Sequence, residues 1–79
     1  MRPEQIRELI LLGLPDAEVE VRGEDGTHFE ARVVSPRFVG CRTLERHRMV
    51  YATLGTRVGA EIHALALATL APGEAAPHG

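Results

Sequence analysis

Four histidines and one cysteine are the side chains of this 79-residue chain best suited to hold a metal or move a proton. His63 heads the run Glu61-Ile62-His63-Ala64-Leu65, which alternates as a strand does, and by parity it shares a face with Leu65 and Leu67. Two readings stay open for it. A histidine among apolar neighbours is commonly structural, its ring nitrogens satisfied by backbone. As a ligand it would offer a neutral ring nitrogen, with the tautomer set by whatever bonds the other one. His28 follows a turn and points to the face opposite Phe29, which makes it exposed. His47 reads as a half-buried helix residue and His78 falls in the tail.

Cys41 is a lone thiol with no base or oxyanion site supplied by pattern, so it reads as a small surface residue. The spacing from His28 to His47 to His63 matches no standard zinc pattern. Paired-cysteine, HExxH and phosphate-loop motifs are absent from the sequence. These signals predict a protein that is not an enzyme. Arg46-His47-Arg48 places two guanidinium groups on one helical turn, and Arg42 and Arg46 stand four apart on one edge. Arg42, Arg46 and Arg48 are therefore candidate contacts for phosphates or for a partner's carboxylates.

The elements that must position these residues are legible by period. Pro3-Glu4 starts a helix whose apolar positions are Ile6, Leu9 and Ile10, and Gly13 and Pro15 stop it. Ala17, Val19 and Val21 alternate with charged residues, Gly23-Glu24-Asp25-Gly26 turns, and Phe29, Ala31 and Val33 alternate on the return. That is a hairpin, ended by Ser35-Pro36. Thr43 is the expected N-cap of a central helix with Leu44, His47, Val50, Tyr51, Leu54 and Val58 on one face. Gly55 and Gly59 divide it into a longer and a shorter piece, and a third strand runs from Ile62 to Leu70. The order αββααβ gives a two-layer α+β domain over residues 1–70, with a three-stranded mixed sheet packed against helices. The helical crossover permits parallel pairing of the third strand and should be right-handed. The tail, 71–79, carries two prolines and two glycines and is expected to fray.

Composition narrows the function. No apolar run is long enough to span a membrane. One cysteine cannot form an internal disulfide, so a reducing, cytoplasmic setting is expected. Three aromatic residues offer little for stacking bases. All nine basic residues are arginine, and they are unevenly placed. Residues 1–31 hold three Arg and eight acids, whereas residues 32–60 hold six Arg and Glu45 alone. An acidic partner would dock on the middle third.

Four stretches together resemble the BolA family, specifically its short, IbaG-like bacterial branch: Thr27-His28-Phe29, Val33-Val34-Ser35-Pro36-Arg37-Phe38-Val39-Gly40, Arg46-His47-Arg48-Met49-Val50-Tyr51 and Ile62-His63-Ala64-Leu65-Ala66-Leu67. The likeness runs from about Ile6 to Leu70. It implies a fold like the type II KH domain. It also implies a monothiol glutaredoxin of the CGFS type as partner, the pair sharing a 2Fe–2S cluster with glutathione. By that resemblance His63 is a cluster ligand. Relatives with a longer hairpin loop carry a second ligand there; this loop is short, which leaves His28 as the candidate. The resemblance implies DNA as a second possible partner through a regulatory role. Between helices, Gly55-Thr56-Arg57-Val58-Gly59 is one residue longer than the G-x-x-G clamp of KH domains. The free chain is expected to be a monomer or a weak homodimer.

Overall fold

The computed structural model describes residues 1–74. Helix α1 spans Pro3–Gly13. Pro3 occupies the first turn, where a missing N–H costs nothing. The Gln5 side chain accepts the Arg2 N–H at 2.8 Å. α1 buries Ile6 and Ile10, and Leu14 follows them into the core.

Strands β1 (Glu18–Arg22) and β2 (His28–Val34) form the antiparallel hairpin, with Val19 opposite Val33 and Arg22 opposite Glu30. Their alternation separates a core face of Val19, Phe29, Ala31 and Val33 from an exposed face of Glu18, Glu20, Glu30 and Arg32. Ser35 is buried and its hydroxyl accepts the Arg37 N–H at 3.2 Å, capping a 3-10 turn at Pro36–Phe38 that drives Phe38 into the core.

Helix α2 spans Thr43–Leu54, and strand β3, Ala64–Leu70, lies parallel to β2. The sheet order is β1-β2-β3, a mixed sheet covered on one face by helices, as the α+β expectation required.

Local details depart from that expectation. The N-cap of α2 is Arg42 rather than Thr43, with Glu45 three residues on reaching back to the Arg42 N–H at 3.5 Å. The buried face of α2 is Val50 and Leu54, flanked by half-buried Arg46, Met49 and Thr53. Leu44 and Tyr51, expected inside, are 62% and 38% exposed. Gly13 is one cause: a Cβ there would sit 2.5 Å from Thr53 Cγ2, so α2 turns its Thr53 side against α1. The shorter helical piece is a single 3-10 turn, Gly55–Arg57. β3 begins two residues later than expected. Ile62 is fully buried in a tight turn, its N–H bonded to the Arg57 carbonyl and its carbonyl accepting from Gly59.

The tail expected to fray is held at its start. Ala71 is buried, and the Glu74 carboxylate accepts the Ala71 N–H at 2.7 Å. The remainder of the expected frayed segment, 75–79, lies outside the described residues, and so does His78.

Candidate functional site

One end of the sheet gathers the hairpin turn and the entry to β3. The Asp25 carboxylate organises it. Its Oδ1 accepts the N–H groups of Thr27 and His28 at 2.9 and 2.8 Å, closing the turn through a side chain. Its Oδ2 lies 2.6 Å from Nδ1 of His28. These bonds hold Asp25 well below the usual carboxylate range, with the His28 N–H contributing most, then the Thr27 N–H, then the His28 ring. An ionised carboxylate only accepts, so Nδ1 is the donor in this contact and Nε2 is the ring nitrogen turned away from Asp25. A carboxylate behind one ring nitrogen is the arrangement that orients histidines toward metals. The His28 side chain is 65% exposed, so the ring is open to solvent.

His63 joins His28 through main chain. The Thr27 carbonyl accepts the N–H of His63 at 2.9 Å and that of Ala64 at 3.3 Å. His28 itself pairs with Ala64 in the parallel register. His28 therefore opens β2 and His63 lies just before β3, at the same end of the sheet. His63 is exposed, in a bend just ahead of β3, so strand parity does not set its face as the sequence pattern suggested. His28 lines an open hollow of about 660 Å³ over Asp25, Glu30 and Ala64, and His63 stands outside it. Among the described residues no group of three His, Cys, Asp or Glu side chains converges as a metal site.

The arginines divide differently from the predicted edge. Arg46 is not a free docking residue; its side chain is 13% exposed. Its guanidinium lies over the Phe38 ring, donates through Nε to the Cys41 carbonyl at 2.9 Å, and forks onto Glu74 at 2.6 and 3.0 Å. Glu74 thus holds both the Arg46 guanidinium and the Ala71 N–H. The Arg46 fork, followed by the Ala71 N–H, lowers the Glu74 carboxyl to about 2. Arg42 and Arg48 are exposed, with Arg42 at the start of α2, beyond the opposite ends of β2 and β3 from the histidines. Cys41 also sits at that far end, its thiol 3.5 Å from the Arg37 carbonyl. The arginine nearest His63 in the chain's path is Arg57, exposed in the turn that closes on Ile62. The sequence reading missed Arg57 and Asp25. Asp25-Gly26-Thr27-His28 carried a signal for the second, an aspartate placed to cap a turn that ends in a histidine. His47 is half-buried, as expected.

Comparison with known proteins bears on what this arrangement belongs to. Residues 15–74 match the model of the family described as BolA-like protein. A solved bolA protein homologue from Coxiella burnetii superposes with a TM-score of 0.81 at 42% identity, covering 91% of this chain and 92% of that one. BolA-like protein 1 of Homo sapiens is 40% identical over 65 residues, 71% of this chain and 47% of the relative. The DNA-binding transcriptional regulator BolA of Escherichia coli is 51% identical over 43 residues, 54% of this chain and 41% of the relative. The chain thus spans about half the length of these two curated relatives. With the family model matched over most of its length and the fold shared throughout, this chain belongs to the BolA-like family.

Proposed function

We propose that this chain is a non-enzymatic iron–sulfur partner that docks a monothiol glutaredoxin and contributes imidazole ligands to a bridging 2Fe–2S cluster. The observation that supports the reading is the bond from the His63 N–H to the Thr27 carbonyl, which brings the main chains of the two histidines to the same end of the sheet. His28 is set up for the role by Asp25 on Nδ1. His63 would be the principal ligand and His28 the second, with thiolates of the glutaredoxin and glutathione completing the set. Two imidazoles opposite thiolates raise the potential of such a cluster above that of an all-thiolate one. In this reading Arg48 and Arg57, rather than Arg46, meet the partner, and the chain works in the cytosol, where Cys41 stays reduced. No described helix is long and apolar enough to cross a membrane.

The test is reconstitution. The chain is mixed with a CGFS glutaredoxin, glutathione, iron and sulfide, and visible absorption and circular dichroism are recorded. His63→Ala should abolish the heterodimer's cluster signature, and His28→Ala should shorten its lifetime. An unchanged spectrum and lifetime in His63→Ala would refute the ligand assignment.

A second reading, nucleic-acid binding, is favoured by the name of the Escherichia coli relative and by Arg42, Arg48 and Arg57, which are exposed and make no ion pair among the described residues. Binding of that kind weakens steeply with salt. Filter binding to duplex DNA at two salt concentrations tests it, and no binding at low salt ends it.

A further inference from the structure

The Arg46 guanidinium is held by groups that do not belong to the end of the chain. Nε donates to the Cys41 carbonyl at 2.9 Å, Nη1 reaches the Thr69 carbonyl at 3.4 Å, and the group lies 5.9 Å from the centroid of the Phe38 ring. These contacts fix its plane whether or not Glu74 is in place. What remains is the Nη1–Nη2 edge, two N–H groups in a rigid fork that matches a carboxylate. Glu74 shows that match, at 2.6 and 3.0 Å. The Arg46 side chain is 13% exposed and that of Glu74 44%, so the fork meets solvent on the side where Glu74 sits.

Glu74 is held by little else. Its Oε1 accepts the Ala71 N–H at 2.7 Å and its own N–H donates to the Ala71 carbonyl at 3.1 Å, both within the turn at 71–74, where Gly73 takes a left-handed φ of 85°. Among the described hydrogen bonds, only the fork on Arg46 ties residues 72–74 to a distant part of the chain. Pro72 and Gly73 are exposed, and the β2–β3 ladder ends at Leu70. Releasing Glu74 therefore leaves the sheet and the Arg46 guanidinium where they are. The surroundings then favour another anion. Residues 35–44 carry Arg37 and Arg42 and no acid, and the first N–H groups of α2 add their positive end.

We propose that Arg46 is a carboxylate-binding site occupied in cis by Glu74, and that an acidic side chain of a protein partner binds there by taking Glu74's place. The resident group sets the ligand class: a planar carboxylate that accepts both N–H groups of the fork. Because Glu74 is tethered close by, it competes at an effective concentration on the order of millimolar. It acts as a threshold, holding Arg46 closed to weak or passing anions and yielding it to a partner whose other contacts offset the exchange. The proposal needs neither histidine and no glutaredoxin, so it stands or falls apart from the cluster reading.

Titration of the free protein with acetate, and separately with inorganic phosphate, tests it, at constant ionic strength set by chloride. The parent is compared with Glu74→Ala and with Glu74→Gln, which keeps a neutral acceptor on the turn. The readout is the Arg46 Nε–H resonance, which its bond to the Cys41 carbonyl protects from exchange with water. In Glu74→Ala, acetate should shift this resonance and the Phe38 ring protons saturably, with a Kd about tenfold below the parent's once the tethered competitor is gone. Glu74→Gln should fall between the two, and far-ultraviolet dichroism verifies the fold of each. No saturable shift in either variant, or an equal response in parent and variants, would overturn the proposal. Tighter binding of phosphate than of acetate would overturn the carboxylate assignment and point to a nucleic-acid backbone instead.

Discussion

Replacing Gly23 by alanine probes whether the hairpin's packing holds the histidine end in place. The backbone of Gly23 is not in the left-handed region, so alanine is conformationally allowed there. Space is the obstacle. An added Cβ would lie 2.5 Å from Phe29 Cδ1, 2.9 Å from Phe29 Cε1 and 2.8 Å from the His28 carbonyl oxygen. Phe29 is 3% exposed, and the His28 carbonyl is main chain, so no rotamer change relieves that second contact. Overpacking of this kind costs about 1–3 kcal/mol. Alanine recovers about 0.4–1 kcal/mol by restricting the unfolded chain. Taken at the middle of both ranges, the net is a loss of about 1.3 kcal/mol, or roughly 5–10 °C in Tm for a domain of this size. Urea unfolding followed by dichroism measures the loss, at constant slope. Because β2 must move away at His28, the Thr27 and His28 amide resonances, both donors to Asp25, should shift as well. A variant as stable as the parent with those two resonances unmoved would refute the reasoning.

Two further outcomes follow from the carboxylates. Glu74 has a folded value of about 2 against an ordinary 4.5, so its stabilising contribution is complete above about 4.5 and is lost as pH falls toward 2. The difference in urea midpoint between the parent and Glu74→Gln should therefore shrink across that acid window and be flat at neutral pH. Asp25→Asn keeps the size of the side chain but removes the carboxylate behind His28. If His28 is a ligand, it should weaken cluster retention in the glutaredoxin complex by roughly 10–100-fold, while Thr27 and His28 amides exchange faster. Retention equal to the parent's would remove His28 from the ligand set.

Periodicity made most of the architecture readable. α1, the hairpin and α2 each show their repeat within a dozen residues, and the turn chemistry at Gly23–Gly26 and Ser35-Pro36 marks where each ends. What local pattern cannot show is a partner distant in the chain. Arg46 reads as a surface charge because nothing near it is acidic except Glu45. Its burial follows from Glu74, 28 residues away, and from the ring of Phe38 beneath it. That one burial, with Gly13 admitting Thr53, rotates α2 and leaves Leu44 and Tyr51 outside. His63 lost its strand position for a similar reason: Ile62 is apolar enough to continue an alternating run, yet it fills the core from a turn. The site was legible in part. His63 and His28 stood out by type and by resemblance, but their adjacency depends on a parallel register that no spacing in the sequence encodes.

The parallel pairing of β2 with β3 also orders events in time. The hairpin joins neighbours in sequence and can close as soon as it is made, whereas the β2–β3 ladder runs from His28 with Ala64 to Val34 with Leu70. Closing that long loop is paid in chain entropy before any contact rewards it. During synthesis β3 leaves the ribosome after β1 and β2, and the Glu74 that bonds Arg46 follows it. Until then Phe38, Val50 and Leu54 lack their lid, and β2 has a bare side. The nascent chain therefore passes through a stage at which its central strand is open to any passing segment. Completion is set by the emergence of residues 64–74, and a ribosome stalled before them holds a sheet that cannot close.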